Sequence, residues 1–212
     1  MTLGNILIFG DSYSTYEGHI PAGYAVYYSG HRTAPPDVFD VKNTWWRRLI
    51  DATGSTLIQN NSWSGSTIGY TGYNGDCSHT NAFIYRFEKL LEEGFFNSNK
   101  IDTVLVFGGT NDSWSNAPLG EMKFDGIEEN ELFCALPAIS HFAKRLSEVL
   151  KDTRIIFIGN CDIKQEIIDA IRISCDHYSL EHVQLSDIEK VNGHPTENGM
   201  AQICEQILAK IG

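Results

Sequence analysis

Short apolar runs alternate along this chain with amphipathic segments. The runs Ile6–Phe9, Val104–Phe107 and Ile155–Ile158 are continuously apolar, which is typical of strands buried on both faces of a parallel sheet. Weaker runs at Thr56–Gln59 and His182–Leu185 are candidates for two more strands. The pattern therefore predicts a roughly five-stranded parallel sheet.

Helical patterns separate these runs. Apolar residues recur at spacings of three and four in four segments: Trp45–Ile50 before Gly54, Phe83–Leu91 before Gly94, Ile139–Leu150 after Pro137, and Met200–Ile211 after Thr196. Strands that alternate with helices predict an α/β fold, a three-layer α/β/α sandwich with right-handed crossovers. We find no internal repeat, low-complexity tract or linker, so we expect residues 1–212 to form a single domain.

Composition narrows the range of partners. The 212 residues are 42% hydrophobic and carry a net charge of −11, which argues against nucleic acid as a partner and against attachment to an anionic membrane. No apolar run approaches the ~20 residues of a membrane span. No signal-peptide pattern is visible, and five irregularly spaced cysteines are not a disulfide framework, so we expect a cytoplasmic protein.

Three long segments follow predicted strands and are rich in aromatic residues. They cover residues 13–43, 61–80 and 111–132. In open α/β sheets, ligands bind at the carboxyl ends of the strands. We therefore expect these segments to form the walls of a pocket.

Two polar motifs begin directly after predicted strands. Gly10-Asp11-Ser12 follows the first strand and, taken alone, is ordinary turn composition. Gly108-Gly109-Thr110-Asn111-Asp112 follows the run that ends at Phe107. Its two glycines would let a ligand or another backbone approach closely, and the Asn111 amide could donate a hydrogen bond to an oxyanion.

Two further positions could take part in a reaction that forms an oxyanion. Gly65, in the segment after the second strand, could offer an unhindered backbone N–H. His194 lies between Gly193 and Pro195, just before the last helix. Backbone geometry would hold its imidazole, so His194 is the candidate general base among seven histidines.

In this order, the four segments resemble the motifs of the SGNH, or GDSL-like, hydrolase superfamily of lipases, acylhydrolases and esterases. The resemblance implies a flavodoxin-like topology and a serine hydrolase. The isolated pairs Cys77-x-His79 and Cys175-x-His177 lack a second pair at a zinc-finger-like spacing, so we expect no metal site and no cofactor. The resemblance also implies that Ser12 is the nucleophile and His194 the general base, acting through an acyl-enzyme. The Ser12 and Gly65 N–H groups and the Asn111 amide would form the oxyanion hole.

One position departs from the pattern of that superfamily. An aspartate usually stands three residues before the catalytic histidine, and here Val191 occupies that place. Asp187, Glu189 or a backbone carbonyl could orient His194 instead. The chain could also work with a Ser–His dyad.

The sequence constrains the substrate less than it constrains the reaction. The aromatic residues of the long segments suit sugar rings, although most of them could simply pack the segments together, and no greasy lid is evident. This favours short-acyl esters of small molecules or carbohydrates, such as acetylated carbohydrates, while the acyl group, the alcohol and the oligomeric state stay open. Two other interpretations are a flavodoxin-like cofactor-binding protein and a degenerate hydrolase fold kept for ligand binding.

Overall fold

The computed structural model describes residues 2–33 and 35–212. Its main sheet contains β1 (Asn5–Gly10), β2 (Thr56–Ser62), β5 (Thr103–Gly108), β6 (Arg154–Gly159) and β7 (Glu181–Gln184). Two small hairpins pair β3 (Thr71–Gly72) with β4 (Gly75–Asp76) and β8 (Lys190–Val191) with β9 (His194–Pro195). The helices are α1 (Trp45–Thr53), α2 (Phe83–Glu92), α3 (Phe95–Ser98), α4 (Thr110–Trp114), α5 (Ala135–Val149), α6 (Gln165–His177) and α7 (Glu197–Ile211).

The main sheet is parallel throughout, with the strand order β2-β1-β5-β6-β7. This confirms the predicted five-stranded parallel sheet. Strand β1 lies between β2 and β5, where Gly10 is opposite Ser62 on one side and Phe107 on the other. The three segments that follow these strands therefore start at the same edge of the sheet.

The core has two halves, one on each face of the sheet. Alternate residues of one strand serve different halves: Leu7 and Phe9 point to one face, and Ile6 and Ile8 to the other. Helices α2, α5 and α6 cover the first face, and α1 and α7 cover the second. This arrangement is the predicted three-layer sandwich.

Polar side chains set the starts of the two helices on the second face. Thr44 precedes α1 and accepts a hydrogen bond from the Arg47 N–H at 3.3 Å. Thr196 precedes α7 and accepts one from the Gly199 N–H at 3.1 Å. Because Thr196 follows the β9 hairpin directly, the start of α7 also positions the chain around His194.

The three long segments contain more regular structure than the sequence pattern indicates. Residues 61–80 include the β3–β4 hairpin, and residues 111–132 begin inside α4 and end in a 3-10 helix at Glu129–Phe133. Within the described part of the chain, none of the helices is both long and apolar enough to cross a membrane.

Phe142 lies at the centre of a group of aromatic rings in the first half of the core. It is fully buried, and its ring makes edge-on contacts with Phe9 at 5.7 Å and Phe87 at 6.0 Å between centroids. We expect Phe142→Ala to lower the free energy of unfolding by about 3–5 kcal/mol, because it leaves a cavity between α5 and the sheet. Urea denaturation measures this loss. The matched control is Ile173→Ala on the exposed face of α6, which should change stability by less than about 1 kcal/mol.

Candidate active site

A tight turn presents Ser12 at the end of β1. The Asp11 carbonyl accepts a hydrogen bond from the Ser14 N–H at 3.0 Å, and the Asp11 Oδ1 accepts one from the Tyr13 N–H at 3.0 Å. These two bonds place Ser12 at the second position of the turn. Ser12 is only 3% exposed, so the residue is largely buried at the end of the strand.

The structure brings Ser12 and His194 together although they are 182 residues apart in the chain. The distance from Ser12 Oγ to His194 Nε2 is 2.9 Å. The other ring nitrogen, Nδ1, lies 3.2 Å from the carbonyl oxygen of Asn192. Because a carbonyl oxygen only accepts, Nδ1 carries the proton and Nε2 is left to accept from the serine hydroxyl.

The surroundings of His194 favour its neutral form. Burial lowers the pKa of the imidazole below its usual range, and the positive charges of Arg32 and Lys190 lower it further. The bond to the Asn192 carbonyl acts in the opposite direction. A neutral imidazole hydrogen-bonded to a hydroxyl is the arrangement that a general base requires.

Neither candidate acid contacts His194. Asp187 lies in an exposed turn, whereas Glu189 accepts hydrogen bonds from Thr196 Oγ1 at 2.5 Å and Asn198 Nδ2 at 3.0 Å. Glu189 therefore stabilises the start of α7 instead. Among the residues that the structure describes, the Asn192 carbonyl is the group that meets His194 Nδ1.

Two tyrosine hydroxyls from the segment after β1 hold the backbone on both sides of His194. Tyr13 donates to the Gly193 carbonyl at 2.5 Å, and Tyr28 donates to the Pro195 carbonyl at 2.9 Å. Burial raises the pKa of both phenols, so they stay protonated as donors. Two of the aromatic residues that suggested sugar binding, Tyr13 and Tyr28, therefore hold the backbone around His194.

The Asn111 amide has a fixed orientation. Its Nδ2 donates to the Ser66 carbonyl at 2.9 Å, and its Oδ1 accepts from the Tyr73 hydroxyl at 3.0 Å. The nitrogen must face the carbonyl oxygen, because two oxygens without a proton between them would repel. One of the two Nδ2 hydrogens is committed to Ser66, which leaves the second for another acceptor.

Gly65 lies in the same loop as Ser66. The Ser66 N–H donates to the Trp63 carbonyl at 3.1 Å across a turn in which Gly65 has a φ of 81°, a conformation that favours glycine. A side chain at this position would meet no atom within 4 Å, so the loop is open there. Within residues 2–33 and 35–212, the N–H groups of Ser12 and Gly65 have no hydrogen-bond acceptor.

The glycine pair before Asn111 allows close packing, and the groups that approach it are helix side chains. A Cβ on Gly108 would lie 2.8 Å from the Phe83 ring, and one on Gly109 would lie 3.0 Å from Ile167 of α6. Gly109 also has a φ of 89°. The pair therefore lets two helices approach the end of β5 closely.

Asp112 joins the segments after β5 and β2. Its carboxylate accepts hydrogen bonds from the Ile68 N–H at 3.0 Å and the Gly69 N–H at 3.1 Å. Asn111 and Asp112 together thus attach the loop that carries Gly65 to the end of β5. These contacts give the adjacent polar residues Asn111 and Asp112 a structural role.

Arg86 is a buried cation beneath the site. Its guanidinium donates to the Gly10 carbonyl at 3.3 Å, to Ser66 Oγ at 3.1 Å, to Asn61 Oδ1 at 2.9 Å and to the Asn81 carbonyl at 2.9 Å. Burial lowers the pKa of Arg86 to about 9, so it remains charged at neutral pH. It bridges the strand that leads to Ser12 and the loop that carries Gly65.

The sequence patterns did not reveal Arg86 or the two supporting tyrosines. Arg86 lies between Phe83 and Phe87, at a position that continues the apolar stripe of α2. A charged residue on an apolar helix face is the one signal that could have indicated a buried functional cation. Tyr13 and Tyr28 give no comparable signal, because their acceptors are backbone carbonyls about 170 to 180 residues away.

Comparison with known families identifies the class of protein. The family model for GDSL-like lipases and acylhydrolases matches residues 4–211. The chain belongs to this family. This family assignment supports an ester-cleaving hydrolase rather than a flavodoxin-like cofactor-binding protein.

Solved structures support the same assignment. A Bacteroides ovatus protein assigned as a GDSL-like lipase is 37% identical, with a TM-score of 0.91 over 100% of this chain and 99% of its own. A similarly assigned Bacteroides uniformis protein is 38% identical, with a TM-score of 0.89 over 98% and 95%. The fold also resembles that of an acetyl xylan esterase from Butyrivibrio proteoclasticus, at 18% identity and a TM-score of 0.61 over 99% and 63%. No curated protein is significantly similar to the chain.

Asp11 should make the stability of the protein depend on pH. Its side chain is fully buried, its Oδ2 has no partner in the described structure, and burial raises its pKa from 3.8 to about 7. The folded protein keeps a proton that the unfolded chain releases above pH 3.8. This carboxyl therefore lowers the free energy of unfolding as the pH rises from about 4 to about 7.

We expect Asp11→Asn to weaken this decline, since asparagine retains an acceptor for the Tyr13 N–H without an ionisable group. Urea denaturation of both proteins at about pH 4.5 and pH 7.5 measures the difference, which should be up to a few kcal/mol. Asp152→Asn, an exposed change of the same kind, should leave the decline as it is. Equal declines in Asp11→Asn and the unchanged protein would contradict the assignment of the proton to Asp11.

Proposed function

We propose that this chain hydrolyses short-acyl carboxylic esters, acetylated carbohydrates among them, through an acyl-enzyme on Ser12. The observation that carries the proposal is the 2.9 Å contact between Ser12 Oγ and the unprotonated Nε2 of His194. The adjacent N–H donors provide the second requirement of acyl transfer, a site for the oxyanion.

Acylation begins when Ser12 Oγ attacks the ester carbonyl carbon. His194 Nε2 takes the hydroxyl proton as the new C–O bond forms, which produces a tetrahedral intermediate and an imidazolium. The imidazolium then gives this proton to the oxygen of the leaving alcohol. The bond to that oxygen breaks, and the acyl group remains on Ser12.

The negative charge of the intermediate lies on the former carbonyl oxygen. The backbone N–H groups of Ser12 and Gly65 and the second Nδ2 hydrogen of Asn111 would donate to it. Ser66 and Tyr73 already fix the Asn111 amide, so little reorganisation is needed when the charge appears.

Deacylation repeats the sequence with water as the nucleophile. His194 takes a proton from water, the resulting hydroxide attacks the acyl-enzyme, and the proton returns to Ser12 Oγ as the carboxylic acid leaves. The Asn192 carbonyl holds Nδ1–H during both halves. We therefore assign a Ser–His dyad oriented by the backbone, without a third carboxylate.

A cleft beside Gly65 supports the choice of small, polar substrates. It has a volume of about 450 Å³, and its walls include Trp63, Tyr73, Asn74 and Asn81. Aromatic rings beside amide groups suit a sugar ring and its hydroxyl groups. The acetyl xylan esterase, which shares the fold, provides a precedent for such a substrate. A larger cavity of about 610 Å³ lies along the edge strand β2. Neither Ser12 nor His194 lines either space, but the smaller cleft includes Gly65, which the larger cavity does not.

Removal of the nucleophile tests the reaction. We expect Ser12→Ala to lower kcat/KM for p-nitrophenyl acetate by about 10³-fold or more and to abolish labelling by a fluorophosphonate probe. A panel of acetylated sugars and of p-nitrophenyl esters of increasing acyl length should show a maximum at the shortest acyl groups. The exposed Ser186→Ala variant is the control and should behave like the unchanged protein. Activity that survives in Ser12→Ala would refute the mechanism.

If Ser12 and His194 work as a dyad, Asp187 is not needed for turnover. Since its carboxylate is exposed and does not contact His194, Asp187→Ala should keep kcat within about twofold of the unchanged enzyme. Steady-state kinetics on p-nitrophenyl acetate provide the measurement. A loss of several orders of magnitude would show instead that Asp187 is the third member of a triad.

A further inference from the structure

Tyr27 lies against the face of the His194 ring. The two ring centroids are 3.6 Å apart, and the ring planes differ by 9°. This is the closest and most parallel of the ring contacts that His194 makes within the described chain; Tyr13 and Trp114 approach it at 5.5 and 5.7 Å with steep angles. One face of the imidazole is therefore covered by a single flat partner.

Arg32 completes a three-layer stack. Its guanidinium carbon lies 4.1 Å from the centroid of the Tyr27 ring. The His194 ring already covers one face of Tyr27 at 3.6 Å, which leaves no room for a second group there, so the guanidinium lies on the opposite face. Arg32 Nη1 also donates to the Tyr27 carbonyl at 2.8 Å, which ties the cation to the residue that it covers.

The backbone of Tyr27 is connected to the nucleophile turn. The Tyr27 N–H donates to Thr15 Oγ1 at 2.9 Å, and the Thr15 hydroxyl donates to the Ser12 carbonyl at 3.2 Å. The neighbouring Tyr28 packs edge-on against Tyr27 at 4.9 Å. The plane of the Tyr27 ring is thus set by the same short segment that sets the position of Ser12.

We infer that Tyr27, backed by Arg32, is a positioning residue that fixes the plane of the His194 ring in place of the missing carboxylate. The inference rests on the proposed roles of Ser12 and His194. The imidazole can turn about its Cα–Cβ and Cβ–Cγ bonds, and one hydrogen bond of 3.2 Å from Nδ1 to the Asn192 carbonyl restrains this only in part; the flat surface at 3.6 Å opposes the remaining rotation. Nε2 then stays directed at Ser12 Oγ.

The charged groups around this stack are consistent with a base that works while neutral. Arg32 faces the imidazole across Tyr27, and Lys190 approaches from the β8–β9 hairpin, where its Nζ lies 3.2 Å from Asp162 Oδ2. Trp114 and Tyr13 face the ring without charge, and no carboxylate contacts it within the described residues. Both neighbouring cations oppose protonation of His194.

The first test replaces the flat partner. Tyr27→Leu removes the aromatic face and should lower kcat on p-nitrophenyl acetate about ten- to a hundredfold with KM changed less than about twofold, because the residue acts through His194 and not on the substrate. Tyr27→Phe keeps the face and should retain kcat within about twofold. Val26→Ala, an exposed neighbour in the same segment, is the matched control and should match the unchanged enzyme.

The second test uses the pH dependence and does not require Tyr27 to be changed. Arg32→Met removes a cation that opposes protonation of His194, so the acidic limb of the kcat–pH profile should move to higher pH, most clearly at low salt. Arg32→Lys should leave the limb closer to its original place. Because Arg32 also backs Tyr27, Arg32→Met should in addition lower kcat at every pH. A limb that stays where it is would contradict an effect of the Arg32 charge on His194.

The outcomes separate this inference from the proposed function. If Ser12→Ala is inactive but Tyr27→Leu has normal kcat, the dyad stands and the positioning role is refuted. If Tyr27→Phe lowers kcat as much as Tyr27→Leu does, the Tyr27 hydroxyl matters and not the ring face. The stack is then refuted as the explanation. Should Tyr27→Leu not fold by circular dichroism, Arg32→Met decides, because it removes the group that backs the Tyr27 ring: the inference predicts a lower kcat with KM changed less than about twofold, and an unchanged kcat would overturn it.

Discussion

The parallel pairing of β1 with β2 and β5 is the constraint on which the site depends. In this register Gly10 is opposite both Ser62 and Phe107, so three chain segments leave the sheet at one level. A slip of one residue would turn every side chain of β1 to the other half of the core. It would also separate the Ser12 turn from the loop of Gly65 and the amide of Asn111. The apolar strands thus determine the chemistry indirectly, by fixing where the polar loops begin.

Arg86 is a second constraint of a different kind. A buried guanidinium is strongly destabilising unless its donors are satisfied, and here they meet oxygens from four separate positions. Because the cation cannot be left without these partners, it resists any separation of the strand before Ser12 from the loop after β2. Asp112 makes the equivalent connection from the other side with an anion. The loop that carries Gly65 is therefore held by a buried positive group and a buried negative group.

Much of this arrangement could be predicted from local sequence. Continuous apolar runs indicated the strands, and the order of Ser12, Gly65, Asn111 and His194 indicated both the family and the residues that the fold gathers. The supporting roles of Tyr13 and Tyr28 could not be predicted, because their acceptors are backbone carbonyls far along the chain. Arg86 gives only one signal, its place on the apolar face of α2, and that position does not reveal its partners. The glycine pair before Asn111 indicated close approach by another group, but the sequence could not show that this group is the side chains of Phe83 and Ile167. Helix α6 was missed because its isoleucine-rich segment also fits a strand by propensity and its buried face includes Ser174.

The support of His194 by Tyr13 and Tyr28 has a consequence for how members of this family can diverge. The histidine is near the carboxyl end of the chain, but the groups that hold its loop come from residues that follow the first strand. The cleft beside Gly65 is lined instead by residues of the segment after β2. An exchange of the segment after β1 between two relatives would therefore transfer the support of His194 and leave the lining of that cleft in place. The setting of the histidine and the shape of the cleft can in this way diverge as two separate traits.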